Sequence, residues 1–572
     1  MEEINLLFQK LNEENLSHII KNIKEIKETK NKDDIRKLII LIDMEKFPSH
    51  ITSDIEKKVK IAAIKLLGEI KERVAVESLI KTLATSNIMI KNAALEALGT
   101  IGDERSIDPI IESLKDETAK VSAAKALGEI GNSKPVQDLI NLLKDKDSDV
   151  RSAAAVSLGQ IKDPLALSAL IIALEEDRDV NVRRLASIAI GEIGNEEAVP
   201  VLIKKLDDQF MNVAVSSADA LIKIGLPSIK PLIEVIENKL AADALIKIGE
   251  PAEDELIKIL THENENIRGI AAKCLGKMKI PGSVKYLVRE LKNNSEKTLK
   301  IMRDSIFFIC SSSLLPLSEE LNKADEITQD LVVEIFFDIG NLTDNGVERL
   351  KNELNVKNPV FQKLIIRALG RLHDEDMDLF KDLFLSTECI EVKKEILKTI
   401  NQINPREDML EFLQRAMGEK NPEIRELALQ AIINIGSPST CSILIDSLSG
   451  GEENLKHISA KGLGMINHSE AITALLKTLQ TGEESLKLTI IEALSNKIDE
   501  EVISALTNLL NNSSSTIQIA VIKALTRIGD KKAIPHIKLL KKNSSEEVKK
   551  ETEIALQAME GPKSFWAKLF GS

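Results

Sequence analysis

The sequence is poor in aromatic residues, with 13 Phe, one Trp and one Tyr among 572 positions. Sandwiches and barrels draw on aromatic and β-branched strands, so this scarcity argues against an all-β fold. Cysteine is scarcer still. Cys274, Cys310, Cys389 and Cys441 stand dozens of residues apart, so no CxxC pair is present to hold zinc or run thiol exchange. Long apolar runs are missing as well. One uncharged stretch, Ile306 to Leu317, contains three serines and a proline and falls short of the ~20 apolar residues of a membrane helix. Residues 1–15, MEEINLLFQKLNEEN, are acidic from the second position and lack the basic and apolar segments of a secretory signal. A reducing, cytoplasmic location is the expectation. No GxSxG, GxxxxGK[ST] or GxGxxG occurs, so the common nucleophile and phosphate loops have no seat. With 77 Lys and Arg against 90 Asp and Glu, the net charge is −13. This argues against nucleic-acid binding by the whole surface and leaves room for a local basic face.

What is abundant is one recurring phrase of small residues, Leu, Gly and Ile. It reads AAIKLLGEI, AALEALGTIG, AAKALGEIG, AAVSLGQI, ASIAIGEIG, AAKCLGKM, IRALGRL and AKGLGMI. Taking its Gly, or the equivalent residue, as a landmark gives Gly68, Gly99, Gly128, Gly159, Gly191, Ile222, Ile246, Gly276, Phe308, Phe337, Gly370, Asn401, Ile433, Gly464, Ser495, Thr526 and Gln557. Fifteen of the sixteen gaps are 29 to 33 residues; the other, ending at Ile246, is 24. Such a period is the signature of a solenoid. Each unit reads as two amphipathic helices, as in Glu196–Asp207 and Asn181–Ile193, joined by polar links such as DKDSD. Gly-Asn or Gly-Asp after the second helix supplies a residue tolerant of positive φ. A small residue lies two positions before most landmarks (Ala97, Ala126, Ser157, Ala189, Ala220, Cys274, Ala368, Ala524), and small side chains there let neighbouring helices approach. A lone pair of short helices cannot bury its apolar face, so the units stack on a shared core.

These motifs resemble the HEAT-repeat family, in its short subtype first recognised in phycobilisome lyases, over about residues 51–560. The resemblance implies an all-α, right-handed α-solenoid of about seventeen two-helix units. Segments follow from it: an N-terminal helical cap at 1–50, regular repeats at 51–305, degenerate Phe-rich repeats at 306–345, further repeats at 346–560 and an aromatic tail at 561–572. Because the family spans adaptors, transport receptors, chromophore lyases and an iron hydroxylase, the resemblance says more about fold than function. The hydroxylase branch, deoxyhypusine hydroxylase, holds iron with His-Glu pairs at the starts of second helices. Here the one such pair, His262-Glu263, falls in a link fourteen residues before Gly276, and His457 is followed by Ile458. His18, His50, His373, His468 and His536 form no ligand-like spacing, so no metal, cofactor or catalytic residue is expected. A phycobilin-lyase-like or other chromophore-handling role is the alternative, with one Trp and one Tyr as poor provision for stacking a tetrapyrrole.

Three features remain as candidates for function. Positions seven and three residues before the landmark share one helix face, which family geometry places on the concave side. In the last seven units they hold Lys363, Arg367, Lys394, Lys398, Lys461, Lys523 and Lys550 against Glu426 and Glu492, whereas the first ten units carry five bases and five acids. This basic stripe predicts a protein partner with an acidic segment; without interleaved aromatics, single-stranded nucleic acid is disfavoured. Second, seven Phe residues cluster between 307 and 384, where rings at landmark positions predict altered helix spacing, either as a repacked core or as a hinge or apolar docking patch. Third, the tail KSFWAKLFGS puts Phe565, Trp566, Leu569 and Phe570 on one helical face, either as a docking motif with weak membrane affinity or as a cap. A further column, eight residues before the landmark, is basic in twelve units, among them Lys91, Lys120, Arg151, Arg183, Arg268, Lys393 and Arg425. With acceptors two residues earlier (Asp149, Asn181, Asn266, Glu391, Glu423, Glu547) it predicts a ladder in which each acceptor caps the second helix and meets bases of its own or the next unit. The overall expectation is a non-catalytic scaffold or adaptor.

Overall fold

The computed structural model describes residues 31–560 except 46, 50, 312, 373–376, 404, 512 and 544, together with 16, 17, 20, 21, 23 and 27. Among these residues the regular structure is helical throughout, with no strand. The chain divides into two compact units, Met1–Ile309 and Cys310–Ser572.

In the N-terminal unit a helix at Lys32–Asp43 packs on Ser53–Glu69, after which short first helices of 6 to 10 residues alternate with longer second helices. The segment 196–207 shows the pattern of the first helices. It is a six-residue α-helix, Val199–Lys204, between two 3₁₀ turns, rather than one continuous helix. Val199, Leu202 and Leu206 are nevertheless buried at the expected spacing. The second helices, such as Ser148–Ile161 and Val180–Ile193, begin at a side-chain cap and end at a left-handed residue. Gly102, Gly131 and Gly194 close three of them at φ 71 to 75, as the Gly-Asn and Gly-Asp pairs predict.

The landmark glycines act by close approach. A Cβ on Gly99 would lie 2.8 Å from Cα of Ala126, and one on Gly159 or Gly191 would lie 2.7 Å from Cα of Ala189 or Ala220. Each contacted residue stands two positions before the next landmark, so the small-residue column is what each glycine rests on. The same contact corrects the register in one unit. A Cβ on Gly276 would lie 2.7 Å from Cα of Ser305, which makes Phe307, not Phe308, the landmark equivalent.

The basic column does form a ladder, but its acceptors are acids about 25 residues downstream of each base rather than those two residues before it. Lys91 reaches Asp116 at 2.6 Å, Lys120 reaches Asp145 at 2.8 Å, and Arg151 grips Asp177 through Nε and Nη2 at 2.7 and 2.9 Å. Each acid sits in the interhelical link of the next unit. Arg151 Nη1 also donates to the carbonyls of Asp145 and Lys146 in its own link, so one guanidinium ties two links together. Capping falls to Asn87, Asp147, Asp179 and Asn264, twelve residues before their landmarks. Asp149 donates its amide to the Asp147 carboxylate and is not the cap.

Hydrogen bonds from Lys91 and Thr118 hold the Asp116 carboxyl at about 2, and those from Arg105 hold Asp103 at about 2, against an ordinary 3.8. A carboxyl depressed on folding contributes stability that is complete above its unfolded value and lost as pH falls through the folded one. The melting temperature followed by circular dichroism is therefore expected to drop between about pH 4 and pH 2, with a smaller drop in Lys91→Gln.

In the C-terminal unit the same alternation runs from Leu315–Glu320 and Glu326–Leu342 to Ile534–Asn543 and Glu546–Glu560. First helices here are longer, reaching 13 residues at Ser469–Thr481. The ladder persists, with Lys393 at 2.5 Å from Glu419 and Arg425 at 2.6 Å from Glu452. The Phe-rich region is repacked core. Phe336 and Phe361 are fully buried and meet edge to face at 5.6 Å between centroids, and Phe384 and Phe412 do so at 5.1 Å. Phe337, at a landmark, leaves its ring half-buried under the Arg371 guanidinium at 5.2 Å.

Candidate functional site

Positions seven and three residues before the landmark do line a concavity in the N-terminal unit. Ile61, Lys65, Asn92, Glu96 and Lys125, from three consecutive second helices, border one groove of about 470 Å³. Its lining is of mixed charge, matching the even count of bases and acids in this half of the sequence.

In the C-terminal unit the seven bases fall into two groups. Arg367 pairs with Asp330 at 2.6 Å and approaches Glu395 at 3.7 Å, while Lys394 pairs with Glu391 at 3.1 Å and with Glu423. Hydrogen bonds to Glu423 and Glu391 raise the Lys394 ammonium above its ordinary value and lower Glu423. These two bases are already neutralised. The other five, Lys363, Lys398, Lys461, Lys523 and Lys550, form no ion pair among the described residues, and all but the half-buried Lys363 are exposed. The stripe thus holds five bases outside ion pairs rather than seven, with the Lys398 charge still felt by Glu423. A count over two columns misses Glu391, Glu423 and Glu395, ten and six residues before their landmarks; the visible signal was Glu391 followed by Lys394 at i, i+3.

The structure also places the residues weighed for chemistry. His262 sits at the end of a short helix, where Nδ1 accepts the Asn264 amide at 3.0 Å and its carbonyl accepts from Arg268. His457 meets the Thr489 hydroxyl at 2.7 Å. Burial pushes the thiols of Cys274 and Cys310 up to about 12, which leaves them inert packing groups. Lys497 is buried, with its ammonium bound to the Ile466 carbonyl and the Asn467 side chain, and desolvation lowers its basicity. Cys441, His468 and Glu470, never linked by sequence spacing, converge in space. Phe565, Trp566, Leu569 and Phe570 lie outside the described residues. Among the described residues no helix is long and apolar enough to cross a membrane.

The family model for HEAT repeats matches residues 46–122, 118–180, 167–240 and 472–557. No curated protein matches the chain in sequence. Among solved structures, the complex of CpcE and CpcF of phycocyanin lyase from Nostoc is similar at 22% identity, covering 46% of this chain and 94% of that chain with a TM-score of 0.25. Importin beta is similar at 14% identity, covering 96% and 95% with a TM-score of 0.33. Yeast importin-beta is similar at 13%, covering 92% and 88% with a TM-score of 0.33.

Proposed function

Because the chain belongs to the HEAT-repeat family, with an all-α solenoid architecture in each unit, we propose that it is a non-catalytic scaffold that holds a protein partner along its second helices. The supporting observation is the row of Lys363, Lys398, Lys461, Lys523 and Lys550 without ion pairs, at the two columns that share one helix face in the C-terminal unit. Cations repeated along that face complement an acidic segment of a partner.

Spacing sets the kind of partner. Packed helices lie about 8–10 Å apart, so lysines two units apart stand roughly 20 Å from each other, beyond the Debye length of about 8–10 Å. They act as separate contacts rather than one focused patch. From Lys363 to Lys550 there are six steps, about 55 Å. An extended chain at ~3.3 Å per residue crosses that in about 17 residues. An extended acidic segment of that length fits better than a compact anion.

Reversing Lys398, Lys461 and Lys523 to Glu is expected to slow association with a 17-residue glutamate-rich peptide by about tenfold or more at low salt. The effect should shrink as salt rises. Arg367→Glu and Lys394→Glu, whose bases are already paired, serve as the comparison and should change association less. Surface plasmon resonance at two ionic strengths reads both. Equal rates for the triple variant and the native protein would remove the stripe as the docking surface. Absorbance of purified protein in the visible range reports separately on a chromophore-handling role.

A further inference from the structure

We propose that Cys441, His468 and Glu470 form a binding site for one transition-metal dication of the zinc type. Cys441 is the second residue of the first helix Thr440–Gly450. His468 caps the next first helix, Ser469–Thr481, and Glu470 is its second residue. Two adjacent helix starts thus deliver three different donors, whose Sγ, imidazole nitrogen and carboxylate oxygen all lie within 4.8 Å of one another. The site stands apart from the lysine stripe, which runs on the second helices, and does not depend on it.

A second observation points at a ligand. The His468 ring is 42% exposed, but its Nδ1 is turned away from solvent without a hydrogen-bond partner, with the Glu470 carboxylate 3.9 Å away. An orphaned buried imidazole nitrogen costs free energy unless something fills its lone pair or takes its proton. A tetrahedral zinc ion with bonds of about 2.0–2.3 Å holds its donors roughly 3.3–3.8 Å apart, so the observed spread closes with a side-chain rotation of about 1 Å. Glu470 is exposed and free to make it.

The chemistry of the donors selects the ion. Thiolate with imidazole and carboxylate suits zinc or cobalt over magnesium or calcium, which prefer all-oxygen shells. Cys441 is 2% exposed, and burial together with the Glu470 charge pushes its thiol up. A dication opposes both effects. Binding replaces the S–H bond with an S–metal bond and releases that proton to solvent, while the two helix starts favour the anionic ligand forms. Three protein donors leave a fourth position for water on the exposed side, where Glu470 stands.

The test uses the full chain, stripped with chelator and titrated with Co²⁺. A thiolate-to-cobalt charge-transfer band should saturate at one ion per chain and be displaced by Zn²⁺. Cys441→Ser should abolish the band, and Cys389→Ser should keep it. His468→Asn retains a good helix cap, so its far-UV spectrum should stay native while Co²⁺ affinity falls by about a hundredfold, at least the upper range seen for outer-sphere changes. Absence of the band, its persistence in Cys441→Ser, or equal affinity in native protein and folded His468→Asn would each overturn the site.

Discussion

Arg151→Leu is expected to destabilise the N-terminal unit by about 3–5 kcal/mol, the usual cost of removing one partner from a buried ion pair. The pair fits that class. Its side chains are 8% and 7% exposed, and the contact with Asp177 is bidentate. Burial by itself would raise the Asp177 carboxyl, but the Arg151 hydrogen bonds, the Asp179 amide and the guanidinium charge outweigh it and hold the group below its ordinary 3.8. Without Arg151 that balance reverses. The folded carboxyl then titrates above its unfolded value, so its contribution is present at low pH and lost as pH rises through the folded value. Arg151→Leu should therefore gain relative to the native protein on acidification, opposite in sign to the drop expected from Asp116. Arg151→Lys should cost less, because Lys120 already makes the equivalent bond to Asp145 one unit earlier. Chemical denaturation at neutral pH and near pH 4 measures both the loss and its reversal.

These contacts show which parts of the molecule the sequence discloses. The capping glycines act within a few residues of themselves, and the landmark glycines act on a partner one repeat away, so the spacing of both is visible in the chain. The ladder was visible as a basic column, yet its acceptors were placed too close. They lie in the next unit's link, 25 to 27 residues after their bases, an offset nearly as regular as the repeat itself and outside a search confined to neighbouring residues. The lysine stripe was legible as positions, but Glu391 and Glu423 neutralise Lys394 from another column; Glu391 does so from the same helix, whereas only the packing of consecutive helices brings Glu423 near. Cys441 and His468 are 27 residues apart, with no motif between them. Their meeting depends on two helix starts lying side by side, which a one-dimensional pattern does not encode. Of the readings open for the Phe cluster, repacked core is the one that Phe336 and Phe361 fit, since both fill core volume.

Gly159→Val is expected to cost about 3 kcal/mol or more, at the upper end of core overpacking. The position lies inside Ser148–Ile161, where valine has the better intrinsic helix propensity than glycine. Propensity alone thus predicts a gain, and the sign of the result separates the two effects. A Cβ there would sit 2.7 Å from Cα and 2.9 Å from Cβ of Ala189. The obstacle is backbone with a methyl that has no rotamer to escape into, so the helices Ser148–Ile161 and Val180–Ile193 must move apart. Separation also strains the bridge from Arg151 to Asp177 in the same interface. In a solenoid each unit is held by its neighbours, so the damage should spread along the stack. Hydrogen exchange should rise in both helices and in Met211–Ile224 beyond them, with little change in Thr440–Gly450. Gly131→Ala provides the contrast: its Cβ would meet nothing within 4 Å, so only the positive φ of 74° opposes it, at a cost of about 1 kcal/mol. If Gly159→Val proved as mild as Gly131→Ala, close helix approach would not be the reason for the landmark glycine.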